Sequence, residues 1–199
     1  MMDTDLNYTT VEACDLSEER IASSIPKADT DTKDCTWMYP SPRMFYNAMR
    51  RKGHTGAQTA DMDVIVTIHN MVNEQTWQSI LRWERYYHPA GEAKLKRFLG
   101  RPDSLSPKAW IRTYLLGYSR PFDRHDWYVE RTDGSLARYV IDFYSGKTPV
   151  NDISREPLSL YIDARPALDT IPACYERMHF ATNNFLNRVK DIIWNGFGL

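Results

Sequence analysis

Trp127-Tyr128-Val129-Glu130-Arg131-Thr132-Asp133-Gly134-Ser135, with the Arg138-Tyr139-Val140-Ile141-Asp142-Phe143 that follows it, decides the fold class of this 199-residue chain. Trp127, Val129 and Arg131 alternate with Tyr128 and Glu130. Tyr139, Ile141 and Phe143 alternate with Val140 and Asp142. A period of two is the pattern of a strand, and Asp133-Gly134 offers the residue pair that a tight turn needs, so the stretch reads as an antiparallel β-hairpin. Downstream, residues 159–164 supply a third strand. A last helix is expected from about Asp169 into the 180s, with Pro172 tolerated in its first turn. Upstream, Lys94–Gly100 is ambiguous and fits a short strand.

The N-terminal half changes period. Ser41-Pro42 and Ser106-Pro107 each place a capping hydroxyl before a proline suited to a first helical turn. They predict helices over 43–52, stopped by Gly53, and 107–116, closed by Gly117. Residues 54–60 read as a loop. Val64, Ile65, Ile68, Met71 and Val72 then form a helical stripe behind Asp61. Asn73-Glu74 looks like a new start after a break or kink, with Trp77, Ile80, Leu81 and Trp83 continuing to about Tyr87. Helices, then strands, then a helix define an α+β chain: a helical N-terminal half, an antiparallel hairpin plus a third strand, and a C-terminal helix in a single domain.

Composition bounds the function. With 42% hydrophobic and 13% aromatic residues the chain has a real core, and a net charge of −1 gives no footprint for nucleic acid. The charge is uneven. Residues 1–36 hold nine acidic and three basic side chains, a net of −6, so the remaining 163 carry +5. Residues 1–36 therefore read as a flexible acidic leader with one short helix near Ser17–Ile25, and 37–199 as the working domain. No apolar run approaches the roughly 20 residues of a membrane span. The N-terminus has neither a secretory core nor an Arg-rich presequence. Cys14, Cys35 and Cys174 are scattered, which disfavours both a disulfide framework and a thiolate metal site.

Several residues carry chemistry, each with two open readings. His69 borders the Ile65/Val72 stripe: it is a core histidine bonded to a carbonyl, or a neutral imidazole on an apolar wall, the form a haem iron takes as axial ligand. Glu74 lies about 140° round an unbroken helix from His69; a break at Asn73 brings it close enough to orient the imidazole. His125 sits between Asp123 and Asp126, either in a solvated turn or poised for proton transfer. Arg131, Arg138 and Arg165 either form ion pairs with Asp142 and Asp163 or bind ligand carboxylates such as the two propionates of haem. Trp37, Tyr39 and Pro40 are a helix lead-in or a stacking wall for a flat ligand. Five histidines raise zinc, but no H-E-x-x-H spacing occurs, and glycine-rich phosphate loops and G-x-S-x-G are missing.

Beyond composition, a series of blocks resembles the cytochrome c haem lyase family. They are Trp37-Met38-Tyr39-Pro40-Ser41-Pro42 with Met44-Phe45-Tyr46-Asn47-Ala48-Met49, Ile68-His69-Asn70, Asn73-Glu74-Gln75 with Trp77, Ile80-Leu81 and Trp83-Glu84, Ser106-Pro107-Lys108-Ala109, Pro121-Phe122-Asp123-Arg124-His125-Asp126-Trp127, Arg138-Tyr139-Val140-Ile141-Asp142, and Asp163-Ala164-Arg165-Pro166-Ala167-Leu168-Asp169. They stand in the family's order over about residues 37–180. The resemblance implies a holocytochrome c synthase, a lyase of the mitochondrial intermembrane space lying peripherally on the inner membrane. Its substrates are haem b and the C-x-x-C-H segment of apocytochrome c, whose cysteines it joins to the haem vinyl groups. It further implies His69 as the iron ligand, Trp37, Tyr39, Pro40 and Glu74 at the haem, and His125 in a catalytic role. The alternative is a haem-binding or haem-delivery protein without the chemistry. The sequence departs from the family where Cys14 and Cys35 precede Asp15 and Thr36 rather than proline. His54 stands where tryptophan is common after Arg51-Lys52-Gly53, and a tryptophan-rich tail is missing after Thr182.

Overall fold

The hairpin forms as its alternation predicts. In the computed structural model, which describes residues 15–28, 35–54, 56, 58–146 and 160–197, strand β4 (Asp123–Arg131) pairs antiparallel with β5 (Leu136–Ser145). Trp127 lies opposite Tyr139 and His125 opposite Ile141. The turn closes with Arg131 N donating to Ser135 O at 3.0 Å, and Gly134 takes φ +77°, a conformation that side chains with a Cβ resist. The ambiguous segment is strand β3 (Ala93–Gly100) on one side of the hairpin, with a register shift between Leu95 and Arg97. Strand β6 (Leu160–Pro166) lies on the other side, so the sheet order is β3-β4-β5-β6 and every pairing is antiparallel. Central β5 is buried from Tyr139 through Tyr144. Its Tyr139 and Ile141 and the neighbouring Trp127 and Val129 of β4 are almost fully enclosed, and aliphatic side chains such as Val129 and Ile141 each contribute on the order of 1.5–3 kcal/mol by burial.

Four α-helices occur among the described residues: α1 (Pro42–Arg51), α2 (Met62–Tyr87), α3 (Pro107–Tyr114) and α4 (Ile171–Phe197). Both Ser-Pro starts are true caps. Ser41 Oγ accepts from Met44 N at 3.2 Å and Ser106 Oγ from Ala109 N at 3.1 Å. The architecture is α+β, helices first, the antiparallel sheet next and a helix last. No helix among the described residues is long and apolar enough to cross a membrane.

Two local expectations are corrected. Helix α2 runs unbroken through Asn73, because the Asn73 amide turns back to donate to the His69 carbonyl four residues earlier at 2.9 Å and the backbone ladder continues. The short helix expected near 17–25 is instead strand β1 (Ala22–Pro26), paired with β2 (Thr36–Met38). Ser23 and Ile25 point inward and are buried while Ala22 and Ser24 are exposed, which is a strand's alternation.

The chain divides into two compact units, residues 1–77 and 78–199. The first holds the β1–β2 pair, α1 and the start of α2, with Tyr46 and Met62 packed against Leu16, Phe45, Met49 and Ile65. The second holds the four-stranded sheet, the end of α2, α3 and α4. There Trp83 Nε1 donates to Ala164 O at 3.0 Å and the Trp83 ring lies 4.3 Å from that of Phe180. Neither Cys35 nor Cys174 is in a disulfide, and Cys14 lies outside the described residues.

Candidate functional site

In the first unit the lead-in to α1 and the first half of α2 bring the predicted residues together. Tyr39 follows β2, its N–H bonded to Ile21 O at 2.9 Å, and Arg20 fixes the carbonyls of Met38 and Tyr39 at 2.9 and 3.0 Å. The buried Tyr39 ring reaches α2, where its hydroxyl donates to Glu74 Oε1 at 2.9 Å. The His69 ring meets Phe45 edge-on at 4.9 Å and Tyr39 at 6.4 Å. His69 and Glu74, on different faces of an unbroken helix, are both met by Tyr39, its ring beside the imidazole and its hydroxyl on the carboxylate. Trp37 in β2 is half-buried with Lys27 Nζ 5.4 Å from its ring, and half-buried Pro40 leads to the Ser41 cap.

Polar groups set the state of each side chain. The His69 ring has Asn70 Oδ1 3.3 Å from Nδ1, and Asn73 Nδ2 lies 3.2 Å from Nε2. The same Asn73 amide also lies 3.3 Å from Nδ1, so this donor faces both ring nitrogens and has to turn aside for Nε2 to meet a metal. Burial resists ionisation of Glu74, but Ser24 donates to it through both N–H (2.9 Å) and hydroxyl, and Tyr39 adds a third bond; together they hold the carboxyl below its ordinary pKa. Burial, then the Glu74 hydrogen bond and charge, raise the Tyr39 phenol well above its ordinary value, so it stays a donor. Ser24 is the residue that sequence reading missed. Its signal, a buried–exposed alternation from Ala22 to Pro26, was hidden by two serines in an acidic stretch.

The remaining predicted residues lie in the second unit. His125 on β4 bonds Asp123 Oδ2 through Nε2 at 3.0 Å, packs edge-on to Phe143 at 5.1 Å, and has a buried Nδ1 with no hydrogen-bond partner among the described residues. Arg131 makes a two-pronged pair with buried Glu84, Nε at 2.8 Å and Nη2 at 2.9 Å, and Tyr139 OH donates to the same carboxylate at 2.5 Å. Arg165 pairs with buried Asp142 at 2.5 Å and with Asp163 at 3.0 Å. Arg138 bridges Asp126 and Asp169 at 2.9 and 2.5 Å. These guanidinium groups are thus already engaged by carboxylates of the fold. Among the described residues no group of three or more His, Cys, Asp or Glu side chains is placed to hold a metal ion.

The first unit thus sets His69 against the rings of Phe45 and Tyr39, with the Tyr39 hydroxyl held by Glu74. Comparison with known proteins gives the family. The profile described as Cytochrome c/c1 heme lyase matches residues 2–181, and the chain belongs to that family. It is 44% identical over 173 residues to "Holocytochrome c-type synthase" of Bos taurus, covering 83% of this chain and 59% of that protein. To the protein of the same name from Homo sapiens it is 43% identical over 173 residues, 83% of this chain and 61% of the relative. To "Holocytochrome-c synthase" of Saccharomyces cerevisiae it is 36% identical over 197 residues, 88% and 70%. The chain thus spans about three fifths of the length of the first two. No solved structure matches.

Proposed function

We propose that this chain is a holocytochrome c synthase, taking haem b and the C-x-x-C-H segment of apocytochrome c as substrates. The observation that carries the reading is His69, set against Phe45 and Tyr39 on a helix that Glu74 pins through Tyr39 and Ser24, in a chain of the haem lyase family. His69 Nε2 is the axial ligand. Trp37, Tyr39 and Pro40 form the wall for the porphyrin. The substrate's histidine takes the opposite axial position, which holds the two thiols beside the two vinyl groups. Positioning of that kind contributes on the order of 7–11 kcal/mol.

Each thioether forms by addition. Sulfur bonds to one vinyl carbon, the neighbouring carbon gains a proton, and the thiol gives one up, so nothing is oxidised or reduced. His125, paired with Asp123, is the candidate for moving that proton. Arg131 and Arg165 reach the haem propionates only by loosening their pairs with Glu84, Asp142 and Asp163. Placement in the mitochondrial intermembrane space, peripheral to the inner membrane, rests on the family alone.

Coexpression with apocytochrome c in a bacterium without its own maturation system tests the function. A cytochrome band that stains for haem on a denaturing gel, lost with His69→Ala, is the expected result. A Soret band on the purified chain without a stained cytochrome would point instead to a haem carrier.

A further inference from the structure

A cavity of about 570 Å³ lies in the second unit between α3, the sheet and the start of α4. Six basic side chains line it against a single carboxylate, Asp169. Four of the six are neutralised by the fold: Lys108 by Asp163 at 2.7 Å, Arg124 by Asp126 at 3.0 Å, and Arg138 and Arg165 as described above. The other two have no carboxylate within ion-pair distance among the described residues. Arg112 contacts the rings of Tyr118 and Tyr144, with centroids at 4.7 and 5.9 Å, and Arg177 makes one long hydrogen bond to Pro166 O at 3.5 Å. Burial, and then the neighbouring Arg165 charge, pull the Arg177 guanidinium below its ordinary pKa, so its charge is under-compensated where it stands. Arg124, itself buried, contributes an Nε with no hydrogen-bond partner. A buried donor without an acceptor costs roughly 1–3 kcal/mol.

The rim has the opposite character. Ile111, Leu116 and Leu168 line the mouth, and the surface continues outward through Trp110, Tyr114 and Leu115, which are 50%, 61% and 67% exposed. A free anion would satisfy the guanidinium groups and leave this apron in water. An uncharged apolar partner would cover the apron and leave the guanidinium groups unpaired. An anionic head on apolar chains uses both, and Trp and Tyr side chains favour the level of lipid headgroups.

We propose that this cavity seats the phosphate of an acidic phospholipid, with the α3 apron resting among the acyl chains of a membrane surface. The proposal deepens the peripheral membrane reading above and rests on it for the source of the lipid.

The test is flotation of the full chain with vesicles of phosphatidylcholine alone or doped with phosphatidylglycerol. Wild type partitions to the doped vesicles. Arg112→Ala/Arg177→Ala weakens that partition about 30-fold, the typical worth of two basic side chains at an anionic surface. Arg51→Ala/Lys52→Ala, the same charge change on α1 and its C-cap, weakens it far less. Leu115→Ser, which alters no charge and changes a largely exposed side chain, also weakens it. Equal loss in both charge variants, or none in Arg112→Ala/Arg177→Ala while wild type still floats, overturns the cavity and leaves peripheral attachment standing. Wild type that ignores doped vesicles sinks both. Saturable binding of inorganic phosphate without flotation assigns the cavity to a free anion, and a dimer dispersed by Leu115→Ser with flotation unchanged assigns the apron to a second copy; either outcome overturns the proposal.

Discussion

The Tyr39 hydroxyl donates to Glu74 Oε1 at 2.9 Å, joining the segment before α1 to the middle of α2 across 35 residues. The ring carrying that hydroxyl stands edge-on to His69. Tyr39→Phe keeps the ring and removes the bond. Hydrogen bonds to charged groups are worth about 1.5–3 kcal/mol, and Glu74 retains Ser24, so a loss of about 1–2 kcal/mol in urea unfolding is expected. Tyr39→Phe also frees the carboxylate to move. Under the proposed function its Soret maximum should therefore broaden while haem is still bound.

Glu74 sets an acid dependence whose sign follows from its depressed pKa. Its folded form loses protons more readily than the unfolded chain, so the stabilisation is fully present above its ordinary value of 4.5 and fades as pH falls through the lower, folded value. Unfolding midpoints of wild type should fall in that acid window. Glu74→Gln should start lower at neutral pH and show a flatter acid limb, and parallel limbs for the two proteins would contradict the assignment.

What was legible in the sequence was what depends on neighbours a few residues apart. Ser41-Pro42 and Ser106-Pro107 announced their helices because a cap and a first turn are local. Trp127 to Phe143 announced the hairpin because alternation is local too. Strand β1 was hidden because only Ile25 of its buried side chains is apolar, the other being Ser23. The unbroken course of α2 was hidden because Asn73, a frequent helix starter, bonds the His69 carbonyl inside the helix. The pairing of Arg165 with Asp142 and Asp163 was one of the two readings open from the sequence. Asp163 stands two residues from Arg165, and Asp142 in the preceding predicted strand offers a second opposite charge. Glu84 could not be read as the partner of Arg131, since the contact spans 47 residues between a helix and a strand.

Glu84 is the point where that pair is most vulnerable. Its side chain is 5% exposed, Arg131 holds both oxygens, and Tyr139 donates to one of them. Glu84→Ala would leave a largely buried guanidinium without its counter-charge, a change that costs about 3–5 kcal/mol. Tyr139→Phe removes only one donor and should cost about 1–2 kcal/mol. Chemical denaturation of both variants separates the two, and similar losses would mean the ion pair contributes no more than the phenol.

The two serine caps look alike in sequence and differ in the structure. Ser41 Oγ serves the first turn of α1. Ser106 Oγ caps α3 and also donates to Asp142 Oδ2 at 2.6 Å while accepting from Arg165 Nη2 at 2.6 Å. Ser41→Ala should therefore cost about 1 kcal/mol, the ordinary worth of a cap. Ser106→Ala removes the cap and strips a hydrogen bond from each member of a buried ion pair, for a total of about 2–4 kcal/mol. Ser106→Thr restores the hydroxyl and should recover most of that loss. Equal destabilisation by the two alanine variants would show that Asp142 and Arg165 are satisfied without Ser106.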